Sequence, residues 1–360
     1  MKSTLSLCLI VKNEEAVLAR CLSTAKLYAD EIIIVDTGSA DKTKEIAARF
    51  TDKIFDFKWI DDFSAARNFS FSKAKSDYLM WLDADDVVTE ENALKIQDLM
   101  RDASADVYFL IYNGSYDELG KPTFYYFRER IMKNSPAAKW KGFIHEAVPP
   151  FGKTEYTDIA VEHRKKGGGS GSRNLDIYEK KLKEGVKFDA RDKFYYAREL
   201  YYNGRYKDAE KIFLEFLTAG GYLPNMIDAR LFLKRCEDAL GEKDRGLELL
   251  LPVLRITAPT AEISSEIAGY FADKGLYRIA AWWYEAALDS PAEPPSGAFI
   301  NKDYSGLVPT LGLTLCYDRL GEKEKARNFC EMSYKINPND KRVIYNKKYF
   351  EGNQNINCTN

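Results

Sequence analysis

The chain has 360 residues, 45% of them hydrophobic, with 53 basic and 55 acidic residues and a formal net charge of -2. This length and apolar content suffice for a sizeable core and predict two domains. The balanced charge argues against a polybasic nucleic-acid surface, and the aromatic content argues against disorder.

Six cysteines, at 8, 21, 236, 316, 330 and 358, are scattered without a C-x-x-C pair and read as reduced thiols of a cytoplasmic protein. The apolar run from Leu5 to Val11 is too short to span a bilayer and runs at once into Lys12-Asn13-Glu14-Glu15. The expectation is neither signal peptide nor transmembrane segment.

In chain order, Leu5–Val11 reads as a strand buried on both faces of a parallel sheet. A helix is expected over Ala16–Leu27. Glu31–Asp36 repeats the strand pattern, and Thr37-Gly38-Ser39-Ala40-Asp41-Lys42-Thr43 turns the chain into a helix through Phe50. Two consecutive βα units predict a parallel sheet with right-handed crossovers. Ile54–Phe57 is a third strand, and Phe63-Ser64-Ala65-Ala66-Arg67-Asn68 opens another helix.

The next strand, Tyr78–Leu82, stops in Asp83-Ala84-Asp85-Asp86. On an extended chain Asp83 and Asp85 share a face, where they could hold one hard divalent cation against a diphosphate. The plain structural alternative is an N-cap for the helix beginning near Glu90. Asn13 and Glu14, Asp36, and Asp83 and Asp85 all leave strand carboxyl ends, which in open α/β sheets converge on one crevice. Structural alternatives remain here too: Asp36 and Ser39 could cap a helix, and Glu14 could sit in a first turn. Neither a P-loop nor a G-x-G-x-x-G sequence is present.

The series LCLIVKNEE, EIIIVDTGSADKT, DDFSAARN and YLMWLDADD resembles the nucleotide-sugar half of family-two glycosyltransferases with the GT-A fold, over Leu5 to about Val87. The resemblance implies that Glu14 and Asp36, with Asn13 beside them, meet the uridine of a UDP-sugar donor. It places Arg67 near the base or phosphates and Asp83 near the ribose, and makes Asp85 a ligand of Mn²⁺ or Mg²⁺. Asp86 extends the usual pattern as a cap or a supporting group.

Val107–Tyr112 and Thr123–Arg128 read as strands of a mixed extension. Trp140, Gly142, His145 and Glu146 resemble the W-x-G-x-x-H-E segment of glycosyltransferases that carry tetratricopeptide tails, including those that modify bacteriocin peptides. There the segment faces the acceptor, so Arg128, Arg130, Trp140 and His145 are expected on the acceptor side. Glu146 is the candidate general base, with an ion pair to Arg128 or Arg130 as the structural alternative. His163 matches a family position after the last strand and is a candidate metal ligand. The sequence His163-Arg164-Lys165-Lys166 departs from the family's H-x-G-Y and would place cations beside a diphosphate.

Gly167–Ser172 has the composition of a flexible linker or a mobile loop, native or engineered. Beyond it, Ala197, Leu200, Gly204, Tyr206, Ala209 and Phe213 have the spacing of a tetratricopeptide helix pair. Ala268, Phe271, Gly275, Tyr277, Ala280, Tyr284 and Ala287 repeat that register. Weaker copies centre on Gly241 and on Tyr317, Gly321 and Ala326, and a Pro-rich insertion spans Asp289–Asp303.

The expected architecture is therefore a GT-A α/β domain over 1–166, a linker over 167–173, a tetratricopeptide-like solenoid over 174–350 and a polar tail over 351–360. The expected function is metal-dependent inverting transfer from a UDP-sugar to a peptide or protein side chain, with a homo-oligomer through the repeats as one possible assembly. Alternatives are transfer to a polysaccharide or lipid-linked glycan, and a tetratricopeptide adaptor whose transferase half no longer turns over.

Overall fold

A computed structural model describes residues 2–164, 171–291 and 296–357 of the chain. The chain divides into two compact units. The first comprises 1–115, 125–195 and 295–298; the second comprises 116–124, 196–294 and 299–360.

The first unit is built on β1 (Leu5–Val11), β2 (Glu31–Asp36), β3 (Ile54–Asp56), β4 (Tyr78–Leu82), β5 (Asp86–Val87), β6 (Val107–Tyr116), β7 (Pro122–Lys133) and β8 (Thr154–His163). Their order is β3-β2-β1-β4-β7-β6-β8-β5. The pairs β1–β2, β1–β4, β2–β3 and β6–β8 are parallel, whereas β4–β7 and β5–β8 are antiparallel. The sheet is thus mixed and mostly parallel, of GT-A type. Its central strands are apolar at nearly every position because both faces are covered: Leu5, Leu7 and Leu9 enter one core cluster, and Cys8, Ile33 and Val35 the other.

The expected helix over Ala16–Leu27 is two short ones, α1 (Leu18–Leu22) and α2 (Ala25–Tyr28). The Ser23 hydroxyl donates to the Arg20 carbonyl and that of Thr24 to the Val88 carbonyl, side-chain competition that favours a break. Next come α3 (Thr43–Ala47), α4 (Phe63–Phe71) and α5 (Glu90–Leu99). The cap of α5 is Thr89, whose hydroxyl accepts the Asn92 N–H, so none of the aspartates of 83–86 caps that helix. α6 (Arg173–Lys183) and the first turns of α7 (Ala190–Tyr202) also belong to this unit. Of the Gly/Ser stretch, 167–170 lie outside the described residues; Gly171 and Ser172 form the turn into α6.

The second unit consists of helix pairs. After the end of α7 come α8 (Tyr206–Ala219), α9 (Leu223–Leu240), α10 (Lys243–Leu250), α11 (Ala261–Asp273), α12 (Tyr277–Leu288), α13 (Leu307–Arg319), α14 (Lys323–Ile336) and α15 (Lys341–Asn357). The turns inside successive pairs hold Gly204, Gly241, Gly275 and Gly321, each with φ between 74° and 87°. This left-handed conformation carries a steric cost for any residue with a Cβ. Five positions later Ala209, Gly246, Ala280 and Ala326 are buried where the helices approach. These are the recurrent features of tetratricopeptide-like pairs, and the helical half has the expected class.

Candidate active site

A cavity of about 1260 Å³ opens at the carboxyl ends of β1, β2 and β4. Asn13, Glu14, Arg67, Asp83, Asp85, Arg128, His145, Glu146 and His163 line it. Asp36, Arg130 and Trp140, the other three candidates, do not.

Asn13 adopts φ 55°, and its N–H donates to the Ser39 hydroxyl while its side-chain oxygen accepts the Ala40 N–H. The Glu14 N–H donates to Thr43 Oγ1. These bonds lock the loop after β1 to the loop after β2. Asp36 is buried behind that junction, and its Oδ1 accepts the N–H groups of Gly38 and Ser39, an Asx turn. Its Oδ2 is buried with no hydrogen-bond partner. Such an orphaned acceptor carries a desolvation cost that a ligand N–H would offset.

Arg67 stands at the centre of the site. Asp62 caps α4 by accepting the Ala65 N–H, which orients the helix start, and Arg67 emerges one turn later. Its Nε lies 2.6 Å from Glu146 Oε1, and its Nη2 lies 2.6 Å from Asp83 Oδ1. Its guanidinium sits 4.6 Å from the Trp81 ring centroid and 4.9 Å from that of Trp140. A planar, delocalised cation meets two carboxylates at its edge and packs against two rings that themselves touch edge to face, with centroids 4.8 Å apart.

Asn68 pins the same segment: its side chain donates to the Trp140 carbonyl and accepts the Trp140 N–H. From there 141–147 close into a loop through paired hydrogen bonds between Lys141 and Ala147. Gly142 has φ 91°, and a Cβ there would come 3.4 Å from the Ile144 carbonyl oxygen. The glycine in W-x-G-x-x-H-E is thus required by the turn that delivers Glu146. His145 has φ 49°; its ring stacks on Tyr195 at 4.3 Å, and its carbonyl accepts both Nε and Nη2 of Arg191. The ion-pair partner of Glu146 is Arg67, and neither Arg128 nor Arg130 takes that place. Arg128 Nη2 instead donates to the Glu146 backbone carbonyl.

The acidic cluster is a turn and not an extended strand end. The Asp86 N–H donates to the Asp83 carbonyl, and the Asp83 N–H donates to Asp86 Oδ2. This turn parts the two side chains expected on one face, sending Asp83 to Arg67 and Asp85 toward His163. Burial acts to raise the Asp83 pKa, but the guanidinium groups of Arg67, Arg130 and Arg128 outweigh it and hold the value down at about 2. Asp85 is shifted upward, by burial first and by Asp83 and Asp86, against the pull of His163.

Asp86 is fully buried. It pairs with Arg130 at 3.0 Å and accepts the Tyr112 hydroxyl at 2.8 Å. Arg130 is itself 1% exposed, 3.7 Å from the Trp81 centroid, and donates to the Trp81 carbonyl. Arg130 and Trp140, both expected on the acceptor side, are therefore internal braces of β4 and of Arg67.

His163 is the last residue of β8 and lies opposite Asp86 in the β5–β8 pairing. Its Nδ1 is 3.5 Å from Asp85 Oδ1 and 2.8 Å from the Tyr112 hydroxyl. Asp86 first, then Asp85, raise its pKa against burial. Ligand atoms of Asp85, Asp86 and His163 lie within 4.8 Å of one another. Asp86 is already engaged by Arg130, Tyr112 and the Asp83 N–H, so Asp85 and His163 are the two donors that face the cavity. A carboxylate and an imidazole suit a divalent cation whose remaining positions are filled by diphosphate and water. Arg164 donates from its N–H to the Asp85 carbonyl and from Nε to Glu162; Lys165 and Lys166 lie outside the described residues.

Two parts of the wall escaped the sequence reading. Trp59, Asp61 and Phe63 line one side. Arg173, Asn174 and Lys180 of α6 line another, in a stretch read from sequence as the start of the repeats. Lys180 pairs with Asp61 at 2.5 Å, and the Arg173 guanidinium lies 5.4 Å from the Phe63 ring centroid. Asp61 and Asp62 stand in the DDFSAARN stretch, but the left-handed φ of 55° that sets Asp61 at the wall appears only in the structure.

Residues 6–152 match the family described as Glycosyl transferase family 2. The match covers the part of the chain built on the mixed sheet, within a chain whose second half is helical. A TPR repeat-containing protein of Synechococcus elongatus is 35% identical over 144 residues, covering 40% of this chain and 35% of that protein. The SPbeta prophage-derived glycosyltransferase SunS of Bacillus subtilis is 30% identical over 152 residues, covering 40% of this chain and 34% of that protein. These matches thus span about a third of each relative's length. Residues 1–349 of S. aureus TarS align over 71% of this chain and 92% of that one, with 12% identity and a TM-score of 0.35. YrrB, described as a TPR protein with an unusual peptide-binding site, aligns over 49% of this chain and 83% of that one, with 18% identity and a TM-score of 0.37. Among the described residues no helix is long and apolar enough to cross a membrane.

Proposed function

We propose that the chain is a metal-dependent inverting glycosyltransferase that moves a sugar from a UDP-sugar to a peptide or protein side chain. The observation that carries this reading is the single guanidinium of Arg67, which holds Glu146 and Asp83 at one edge of the cavity that Asp85 and His163 enter from another side. The peptide acceptor is the reading favoured by the attached helix pairs, a class of scaffold that presents extended surfaces to chains.

In this mechanism the acceptor's nucleophile loses its proton to Glu146. Oε1 is committed to Arg67, so Oε2 is the oxygen that receives it. The nucleophile bonds to the anomeric carbon as the bond from that carbon to the diphosphate oxygen breaks, and UDP leaves with the electron pair. Asp85 and His163 would hold a divalent cation, which when bound offsets charge on the departing diphosphate. An imidazole beside a carboxylate favours Mn²⁺ over Mg²⁺. Asn13 and Glu14 line the end that takes the base, with Asp36 behind them offering its unpartnered Oδ2, and Asp83, turned to Arg67, lies on the ribose side. His145 and Arg128 stand with Glu146 on the acceptor side.

The test is mass spectrometry of products after incubating the protein with several UDP-sugars, Mn²⁺ and candidate peptides, with UDP release followed in parallel. A sugar adduct on a peptide that requires Mn²⁺ supports the reading. UDP release with no adduct on any peptide, but with an adduct on a glycan acceptor, replaces the acceptor class and keeps the enzyme.

A further inference from the structure

Glu146 follows a residue held in an uncommon backbone conformation. His145 has φ 49°, a left-handed value that a residue with a Cβ keeps only where its surroundings over-determine it. Part of that constraint comes from the loop itself, whose ends are tied by the hydrogen bonds between Lys141 and Ala147 at 2.9 and 3.1 Å. The rest comes from α7. Arg191 Nε and Nη2 both donate to the His145 carbonyl oxygen, at 3.1 and 2.9 Å. The Arg191 guanidinium lies 4.8 Å from the Tyr195 ring centroid, and the Tyr195 ring stacks on that of His145 at 4.3 Å with 14° between the planes. Arg191 and Tyr195 are one turn apart on α7 and belong, like the loop, to the first unit. Together they hold His145 by its backbone and by its side chain.

The consequence falls on the next residue. A peptide unit is planar, so a carbonyl oxygen fixed by two donors also fixes the N–H on the other side of the bond, and with it the direction in which the Glu146 side chain leaves the backbone. Glu146 is 8% exposed, and its Oε1 is committed to Arg67 Nε at 2.6 Å. A rotation of the 145–146 peptide plane would therefore draw the carboxylate off the guanidinium, with little free space in which to compensate. Neither Arg191 nor Tyr195 lines the cavity, so neither is placed to touch the reacting atoms.

We propose that Arg191, with Tyr195 beside it, is a positioning residue for Glu146: it fixes the 145–146 peptide plane in the orientation that seats the Glu146 carboxylate on Arg67. That this carboxylate serves as a base rests on the transfer reading above, whereas the brace itself does not.

The test follows the Arg67 Hε proton, which lies in the bond to Glu146, by nuclear magnetic resonance of the isotope-labelled full chain, with its signal assigned through its loss in Arg67→Lys. The Arg235 Hε proton, bonded to Glu266 at 3.2 Å in the second unit, is the internal control. In Arg191→Ala the Arg67 proton should exchange with solvent about tenfold faster or more, while that of Arg235 keeps its wild-type rate. Transfer, with the donor and acceptor found by mass spectrometry, should fall about tenfold or more in kcat with the Kd of UDP unchanged. Arg191→Lys, which can supply only one of the two hydrogen bonds in that geometry, should lie between wild type and Arg191→Ala on both readouts. Unchanged exchange at Arg67 overturns the proposal even if activity falls, and so does equal acceleration at Arg67 and Arg235, which reports general loosening. Faster exchange at Arg67 alone, in a chain whose wild type transfers no sugar, supports the brace and removes the transfer reading instead. Should Arg191→Ala fail to fold, Arg191→Lys decides by the same two protons and the same criteria.

Discussion

Arg67 and Glu146 form an ion pair of 2.6 Å beside the rings of Trp81 and Trp140, and the same guanidinium holds Asp83. Residues 79 positions apart in sequence are thereby fixed as one unit at the cavity edge. Arg67→Lys keeps the charge but cannot bridge two carboxylates and cover both rings. The expected outcome is a loss of transfer of at least about a hundredfold and a loss of about 3 kcal/mol in stability, measured by product formation and by urea unfolding. Near wild-type transfer in that variant would remove Arg67 from the account of the site.

Asp85 and His163 face the cavity, while Asp86 is tied to Arg130 and Tyr112. Asp85→Asn should therefore abolish Mn²⁺-dependent UDP binding, followed by calorimetry, with an unchanged circular dichroism spectrum. Asp86→Asn should lower the melting temperature instead, because it leaves the buried Arg130 charge without its partner. If the two variants behave alike, these roles are not separate.

Glu31 offers a pH test away from the site. Its carboxylate, 8% exposed, pairs with Lys53 and accepts from the Ser6 hydroxyl and the Lys75 N–H. Burial acts against the charged form, but these partners outweigh it and hold the pKa at about 2. A depressed pKa contributes stability above the unfolded value of about 4.5 and loses it as pH falls toward 2. Glu31→Gln should be about 1–3 kcal/mol less stable than wild type at pH 7, and the gap should close between pH 4.5 and 2. A gap independent of pH would show that charge is not its source.

In the repeat unit, a Cβ on Gly312 of α13 would come 2.3 Å from the Tyr284 ring of α12. Gly312→Ala should cost about 1–3 kcal/mol by overpacking, and combining it with Tyr284→Leu should recover part of that loss. Simple additivity in thermal unfolding of the double variant would place the strain elsewhere.

The expected base role of Glu146 can be separated from scaffolding by one more variant. Glu146→Gln should lower transfer by about a hundredfold or more while UDP affinity, which depends on groups across the cavity, stays near wild type. Collapse of UDP affinity in calorimetry would assign the residue to holding Arg67.

Some of this was legible along the chain because it depends on short-range pattern. Strands buried on both faces must be apolar at successive positions, so β1, β2 and β4 announce themselves, and polar residues at their carboxyl ends mark the crevice. Turn glycines at Gly204, Gly241, Gly275 and Gly321 recur because each helix pair needs one left-handed residue. What the linear pattern could not supply was partner choice, which depends on distance in space. Asp83 and Asp85 share a face on an extended chain, but the hydrogen bonds between Asp83 and Asp86 fold a turn that sends them to Arg67 and His163. Arg130 and Trp140 read as acceptor-side groups, yet Arg130 is held inside by Asp86, since a buried charge must be paired, and Trp140 packs against Arg67. The packing of Phe299 on Arg198 and of Tyr304 on Glu266 was likewise invisible, because an insertion has no periodicity and only packing decides where it lies.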